Sequence, residues 1–308
     1  MTISGVYAPV PTPFDDDGEL DLVAWRGNLT RWMRTPLDGL VVLGSNGEAP
    51  LVDDDEAERL INVAREQLPS DRLLIAGTGR QATKNTIKAC RRAAGAGADL
   101  VLVRTPSFFK GQLTTAAFIR HYTAVADACP VPVLLYNFSA LTGVTLPLEA
   151  VATLSIHGNI AGFKESGPDM SYVGDLVGLA PEGFAVLVGS APTFFTSLML
   201  GAAGGILALA CVAPEECVRL YELVHAGRYD EARVLQGQLT PLAKLITSAH
   251  GIPGLKAALA HLGYVGGPPR APFEPVGAEV SSDIARQLDR LAAVAPSVSD
   301  RAAGVALE

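Results

Sequence analysis

Charge is scarce in this chain: only 18% of its 308 residues are Asp, Glu, Lys or Arg, and aromatic residues amount to 6%. Basic residues number 24 against 32 acids, a formal net charge of −8. That balance excludes a nucleic-acid or anionic-membrane surface as the expected partner, because such surfaces are held by clustered Lys and Arg. The four cysteines, Cys90, Cys129, Cys211 and Cys217, form no Cys-x-x-Cys pair and have no histidine cluster beside them. Neither a zinc site nor a disulfide framework is therefore expected, and reduced structural thiols in a cytoplasmic protein are the plain reading. No Gly-x-Gly-x-x-Gly follows any apolar run, and Gly77-Thr78-Gly79 alone is a weak signal for a dinucleotide fold. The first seven residues lack the basic region and apolar core of a signal peptide. The acidic runs Asp15-Asp16-Asp17 and Asp53-Asp54-Asp55 read as acids at helix starts that complement the helix dipole, not as metal sites.

One long uncharged run does occur. No charged residue lies between 183 and 214, and 193–213 is long enough to cross a bilayer. Pro192, Pro214 and the glycine-rich turn at 201–205 divide it into strand, helix and strand, as a fully buried βαβ unit requires.

What the chain has in quantity is apolar surface, 49% of residues, with 31 glycines and 21 prolines spread along its length. Short apolar runs bounded by turns fall at 5–9, 39–43, 73–76, 100–103, 131–135, 160–163, 185–188 and 205–208. Between them lie segments with apolar residues at three- and four-residue spacing, as in 54–65 and 84–94. Such alternation means parallel strands with helical crossovers, and eight strands close a barrel. Residues 37–44 and 97–104 echo each other weakly, each leading from a helix end into a strand. The expected fold is a (β/α)8 TIM barrel with a C-terminal helical appendix, residues 1–212 forming the barrel core. Residues 213–308 supply the last barrel helix and C-terminal helices of the same unit, at 213–226, 229–249, a 251–256 segment and a last helix near 281–295. Chemistry belongs where the strands end, on the C-terminal face.

Three groups of residues fall there. Lys164 ends the apolar run of the sixth strand, with Ser166 two residues on. Burial disfavours a charged ammonium, and a neutral amine can form a Schiff base with a keto acid; a lysine that simply reaches solvent is the plain alternative. Tyr136 follows the fifth strand, where a phenol donates and accepts protons or merely caps the core. Gly44-Ser45-Asn46-Gly47-Glu48 follows the second strand, a turn that receives a carboxylate through Ser45, Asn46 and backbone N–H groups, or that only leads into a helix. Arg104 ends the fourth strand and reads first as an outward arginine paired with a helix carboxylate, the alternative being a partner for a distal substrate carboxylate.

Taken in order, the residues from Gly5 to Phe14, Gly44 to Glu48, Leu135-Tyr136-Asn137 and Gly162-Phe163-Lys164-Glu165 resemble the pyruvate-dependent class I aldolases of the dihydrodipicolinate synthase and N-acetylneuraminate lyase superfamily. The resemblance implies that Lys164 forms the imine, that Tyr136 shuttles protons, and that Ser45 and Asn46 hold the pyruvate carboxylate. It implies no cofactor and no metal, since the imine is the electron sink, and a homotetramer with active sites near a tight dimer interface.

Two departures from the synthase pattern stand out. Synthases carry a second tyrosine in a Thr-Pro-Tyr-Tyr run, where this chain has Phe108 in Thr105-Pro106-Ser107-Phe108-Phe109. They also carry an arginine in the loop after the fifth strand, where this chain has Leu141. The chain is more similar to the 4-hydroxy-2-oxoglutarate aldolase branch through Ser45-Asn46, residues 121–127, residues 162–167, residues 251–256 and residues 266–272. That likeness implies cleavage of 4-hydroxy-2-oxoglutarate to pyruvate and glyoxylate, with Ser166 helping to hold the substrate. Synthase-like condensation, aldolase or dehydratase action on 2-keto-3-deoxy sugar acids, and a keto-acid-binding regulatory barrel are the competing readings.

Overall fold

The computed structural model describes residues 3–294. Eight strands, β1 (Gly5–Pro9), β2 (Gly39–Val42), β3 (Leu73–Gly77), β4 (Leu100–Arg104), β5 (Val133–Asn137), β6 (Ile160–Glu165), β7 (Ala185–Val188) and β8 (Gly204–Ile206), pair in parallel and close into a barrel, β1 lying beside both β2 and β8. The chain is thus a (β/α)8 barrel. Alternate strand positions face opposite sides. Tyr7, Val41, Ile75, Leu100, Leu102, Leu134, Leu187 and Ile206 fill the interior, while Val6, Leu40, Leu74, Val101, Leu135, Phe163 and Val186 pack against the helices. Both faces are covered, which is why the strands read as continuous apolar runs.

The crossover helices are α1 (Leu22–Trp32), α2 (Asp54–Gln67), α3 (Thr83–Gly95), α4 (Thr115–Ala128), the short α5 (Ser139–Thr142), α6 (Leu148–Ser155), α7 (Met170–Leu179), α8 (Phe194–Met199) and α9 (Pro214–His225). Beyond them come α10 (Tyr229–Lys244), α11 (Gly251–His261) and α12 (Ala278–Val294). The helix expected over 229–249 is helical throughout but changes type near its end. Pro241 removes a backbone donor inside α10, and Leu245–Ala249 continue as a π-helical turn. The end of the expected last helix at 295, and the tail to 308, lie outside the described residues. The uncharged run at 183–214 folds as β7, α8 and β8, and no described helix is long and apolar enough to cross a membrane.

Strand ends differ from the sequence reading in one direction that matters. β5 starts after Pro132, which has no N–H to give, and runs two residues further than expected, through Tyr136 and Asn137. β6 reaches Glu165 and β4 reaches Arg104. Polar side chains ended the apolar runs, but ladder hydrogen bonds are made by backbone and continue past them. β2 stops at Val42 because Leu43 adopts a left-handed φ of 56°, and β8 gives way to a 3-10 turn at Ala208–Cys211. Between β5 and β6 the register shifts by one residue at Val133/Leu134, so that Ile160 pairs with Val133 and Gly162 with Leu134, leaving Ala161 as a bulge.

The acidic runs have separate explanations. Asp53 caps α2 in a reciprocal box with Glu56, and Asp54 and Asp55 meet Arg80 and Arg92. Asp15 is not at a helix start; its carboxylate accepts from the amides of Asp17 and Glu19 in a turn.

His121 on α4 is buried with Nδ1 bonded to Thr83 Oγ1 at 2.9 Å and Nε2 without a hydrogen-bond partner among the described residues. Burial pushes its pKa down from 6.5 to about 4. The native state therefore holds a neutral imidazole where the unfolded chain would bind a proton, so stability is full above 6.5 and falls as pH drops toward 4. Between pH 7 and pH 5 the loss from this one group is about 2 kcal/mol. Chemical denaturation of the wild type and His121→Phe at both pH values checks this: the variant should lose less between them, and an equal loss would refute the assignment.

Candidate active site

The register built by the bulge sets three long polar side chains side by side at the barrel mouth. Arg104 pairs with Tyr136 across β4 and β5, and Tyr136 pairs with Lys164 across β5 and β6. Leu134 and Tyr136 share the interior face, and Lys164 continues it on β6. Lys164 is only 4% exposed, and its Nζ lies 4.3 Å from the centre of the Tyr136 ring. It forms no ion pair with any described residue. The amine is thus held at the barrel mouth against an aromatic face, with no carboxylate beside it to occupy it.

The Tyr136 hydroxyl shares a hydrogen bond with Ser45 Oγ at 3.1 Å, which ties the turn after β2 to the lysine. That turn holds two side-chain-bearing residues in left-handed conformation, Leu43 and Glu48 with φ of 56° and 54°. Such geometry is strained and persists only where the surroundings fix it. Thr12 Oγ1 donates to the Gly47 carbonyl at 2.7 Å. Glu48, wholly buried, pairs with Lys256 of α11 at 2.8 Å and accepts from the Arg270 amide at 2.8 Å. Lys256 Nζ also donates to the Pro268 carbonyl at 2.7 Å, so the C-terminal helices clamp the turn that bears Ser45 and Asn46. Asn46 sits in the same turn but makes no hydrogen bond to Lys164, Tyr136 or Ser45.

Ser166 and Lys164 both border Gly189, which follows β7. A Cβ at Gly189 would lie 2.1 Å from Ser166 Oγ and 3.2 Å from Lys164 Cε, so this position admits no side chain without displacing the pair. Gly189 was not singled out in the sequence, where nothing distinguishes it from the other glycines. Neither was the support on the outer face. There Asn137 pairs with Glu165 in the ladder, and its Nδ2 donates to Glu165 Oε2 at 2.7 Å. Asn137 Oδ1 accepts from the Leu146 amide at 3.0 Å. Burial pushes the Glu165 carboxyl above the ordinary range, against the hydrogen bonds from Asn137 and the Gly167 amide. The two residues join β5 to β6 directly behind Tyr136 and Lys164.

Arg104 departs from the outward reading. Leu100 and Leu102 face the interior, so alternation places Arg104 on the interior face, and it meets no helix carboxylate. Phe108 and Leu141, the two residues that the resemblance sets against a synthase tyrosine and arginine, are 77% and 66% exposed. The four cysteines are buried and unpaired.

A model of the dihydrodipicolinate synthetase family matches residues 2–291. A 4-hydroxy-tetrahydrodipicolinate synthase from Exiguobacterium sp. is 35% identical over 288 residues, which cover 93% of this chain and 97% of that protein. A probable mitochondrial 4-hydroxy-2-oxoglutarate aldolase from Emericella nidulans is 35% identical over 275 residues, 88% of this chain and 89% of that one. Among solved structures, the prophage protein YagE of the dihydrodipicolinic acid synthase family from E. coli K12, determined in complex with pyruvate, superposes with a TM-score of 0.87 at 28% identity, covering 94% of this chain and 99% of that chain. Fold and relatives together define an enzyme, a lyase of the aldolase type on a (β/α)8 barrel. The chain belongs to the dihydrodipicolinate synthetase family.

Proposed function

We propose that the chain cleaves 4-hydroxy-2-oxoglutarate to pyruvate and glyoxylate through an imine on Lys164. The observation that carries this reading is the buried Lys164 amine, packed on Tyr136 with no carboxylate beside it, and the Tyr136 hydroxyl in turn held by Ser45. The pyruvate bound in YagE and the name of the Emericella relative support the substrate half and the reaction respectively.

The steps follow from the electron demand of cleavage. Lys164 Nζ attacks C2 of the keto acid, and Tyr136 moves protons as the carbinolamine loses water to give the imine. Ser45, Asn46 and the amides of their turn hold the adjacent carboxylate, and Ser166 holds the substrate beside the lysine. Tyr136 or a substrate carboxylate takes the C4 hydroxyl proton, the C3–C4 bond breaks, and its electron pair passes into the imine as an enamine while glyoxylate leaves. Protonation at C3 and hydrolysis return pyruvate and the free lysine. No metal or cofactor is needed, because the imine is itself the electron sink.

Leu141 and Phe108 argue against synthase-like condensation, since an apolar side chain cannot replace an arginine's grip on a carboxylate. Assay of the purified chain for pyruvate release from 4-hydroxy-2-oxoglutarate, beside condensation of pyruvate with aspartate semialdehyde, decides between them. Release with negligible condensation is expected; the reverse would make the chain a synthase. The homotetramer is likewise a proposal, supported by the exposed apolar side chains Phe108 and Phe109 after β4 and Leu141 after β5. Sedimentation at the mass of a monomer would remove it.

A further inference from the structure

Arg104 is a charged side chain at the end of β4 that the mechanism above does not use. We infer that Arg104 binds the distal carboxylate of a dicarboxylic 2-oxo acid, and so makes the site selective for substrates that carry a second anion. The inference rests on the imine reading of Lys164 and names the substrate class for that site.

The surroundings of the β4 end carry it. Arg104 is the interior-facing last residue of β4, separated from Lys164 only by Tyr136 in the ladder. Two strand spacings, roughly 10 Å between backbones, is a gap that a lysine, a five-carbon acid and an arginine span together. The guanidinium makes no hydrogen bond or ion pair with any described residue. Neighbouring Arg80, by contrast, is met by Asp54 at 3.0 Å.

Gly79, two residues beyond β3, makes room for the arginine's stem. A Cβ there would lie 2.6 Å from Arg104 Cγ and 2.7 Å from its backbone nitrogen. The position is therefore built around this side chain. Burial, with the Arg80 charge adding to it, pushes Arg104 below the ordinary arginine range, and Tyr122 and Tyr136 oppose that shift weakly. A half-buried guanidinium pressed by a second cation and lacking an acid is relieved by a bound carboxylate, which also accepts two parallel N–H groups. Leu141, at the loop position that the resemblance assigns to an arginine, supplies no competing charge.

The test compares 4-hydroxy-2-oxoglutarate with 4-hydroxy-2-oxopentanoate, in which a methyl group replaces the distal carboxylate. The same C3–C4 cleavage of the second compound yields pyruvate and acetaldehyde. Wild-type enzyme should favour the dicarboxylate in kcat/KM, and Arg104→Leu should reduce that ratio about 100-fold. Arg104→Lys, which keeps the charge but not the fork, should hold an intermediate ratio. An unchanged ratio in Arg104→Leu, including a parallel loss on both substrates, overturns the inference.

A second measurement separates this outcome from failure of the cleavage reading. Borohydride trapping with 2-oxoglutarate or 2-oxopentanoate requires only imine formation. If wild type turns over neither hydroxy acid yet traps 2-oxoglutarate at lower concentration than 2-oxopentanoate, and Arg104→Leu abolishes that preference, the cleavage reading falls and the anion site stands. Equal trapping of the two acids by wild type, or no trapping of either, overturns the site.

Discussion

Lys164→Ala should lower pyruvate release by at least about 10³-fold, because the amine is the nucleophile and no other described group replaces it. Wild-type protein treated with pyruvate and borohydride should gain the mass of a reduced pyruvate adduct on the peptide that contains residue 164. The variant should gain none. The surrounding fold should tolerate the change, because Lys164 makes no ion pair or hydrogen bond whose loss would strand a buried partner. Circular dichroism and melting of the variant check that loss of rate is not loss of structure. Undiminished release by Lys164→Ala would remove the imine mechanism altogether, and a keto-acid-binding barrel without turnover would be marked by adduct formation in a wild type that releases no product.

The largest effect on stability is expected at Lys256. Its partner Glu48 is fully buried, and Lys256 itself is 3% exposed. Burial pushes the Lys256 pKa down, while the Glu48 charge holds it up. Lys256→Met removes that compensation and leaves a carboxylate in the interior, at a cost of about 3–5 kcal/mol. For a domain of this size the midpoint of thermal unfolding should fall by roughly 10 °C. Glu48→Gln combined with Lys256→Met should recover part of the loss, because no unpaired charge remains. The pair also has a kinetic signature. Glu48 ends the turn that carries Ser45 and Asn46, so Lys256→Met should raise KM for the keto acid more than it lowers kcat at temperatures where the variant is folded. Normal stability with Glu48 unpaired would show that the turn is not held from the C-terminal helices.

Much of the barrel is legible because parallel strands covered on both faces must be apolar on both faces, and their runs stand out against amphipathic helices. β1 and β7 occupy the spans expected of them for that reason. The same signal fails where function begins. Arg104, Tyr136, Lys164 and Glu165 are strand residues that look like loop residues, because apolarity marks burial and not hydrogen bonding. Lys164, Tyr136 and Ser45 could be nominated from strand ends, yet their adjacency depends on ladder register. Glu48 and Lys256 are 208 positions apart in the chain, and nothing local to either announces the other. Gly189 and Gly79 carry no side chain to read, and their roles appear only once the atoms that approach them are known.

Ala161 gives the bulge in β6 its consequence. In a regular strand across Ile160–Glu165, odd and even positions would exchange faces above residue 160: Phe163 would enter the barrel and Lys164 would lie among the helices. The identical six residues would then spell an inert, oil-filled cylinder. One backbone unit that opposes nothing across the ladder decides whether this segment presents a phenyl ring or an amine to whatever enters the mouth, so the reactivity of the site is in part a matter of counting.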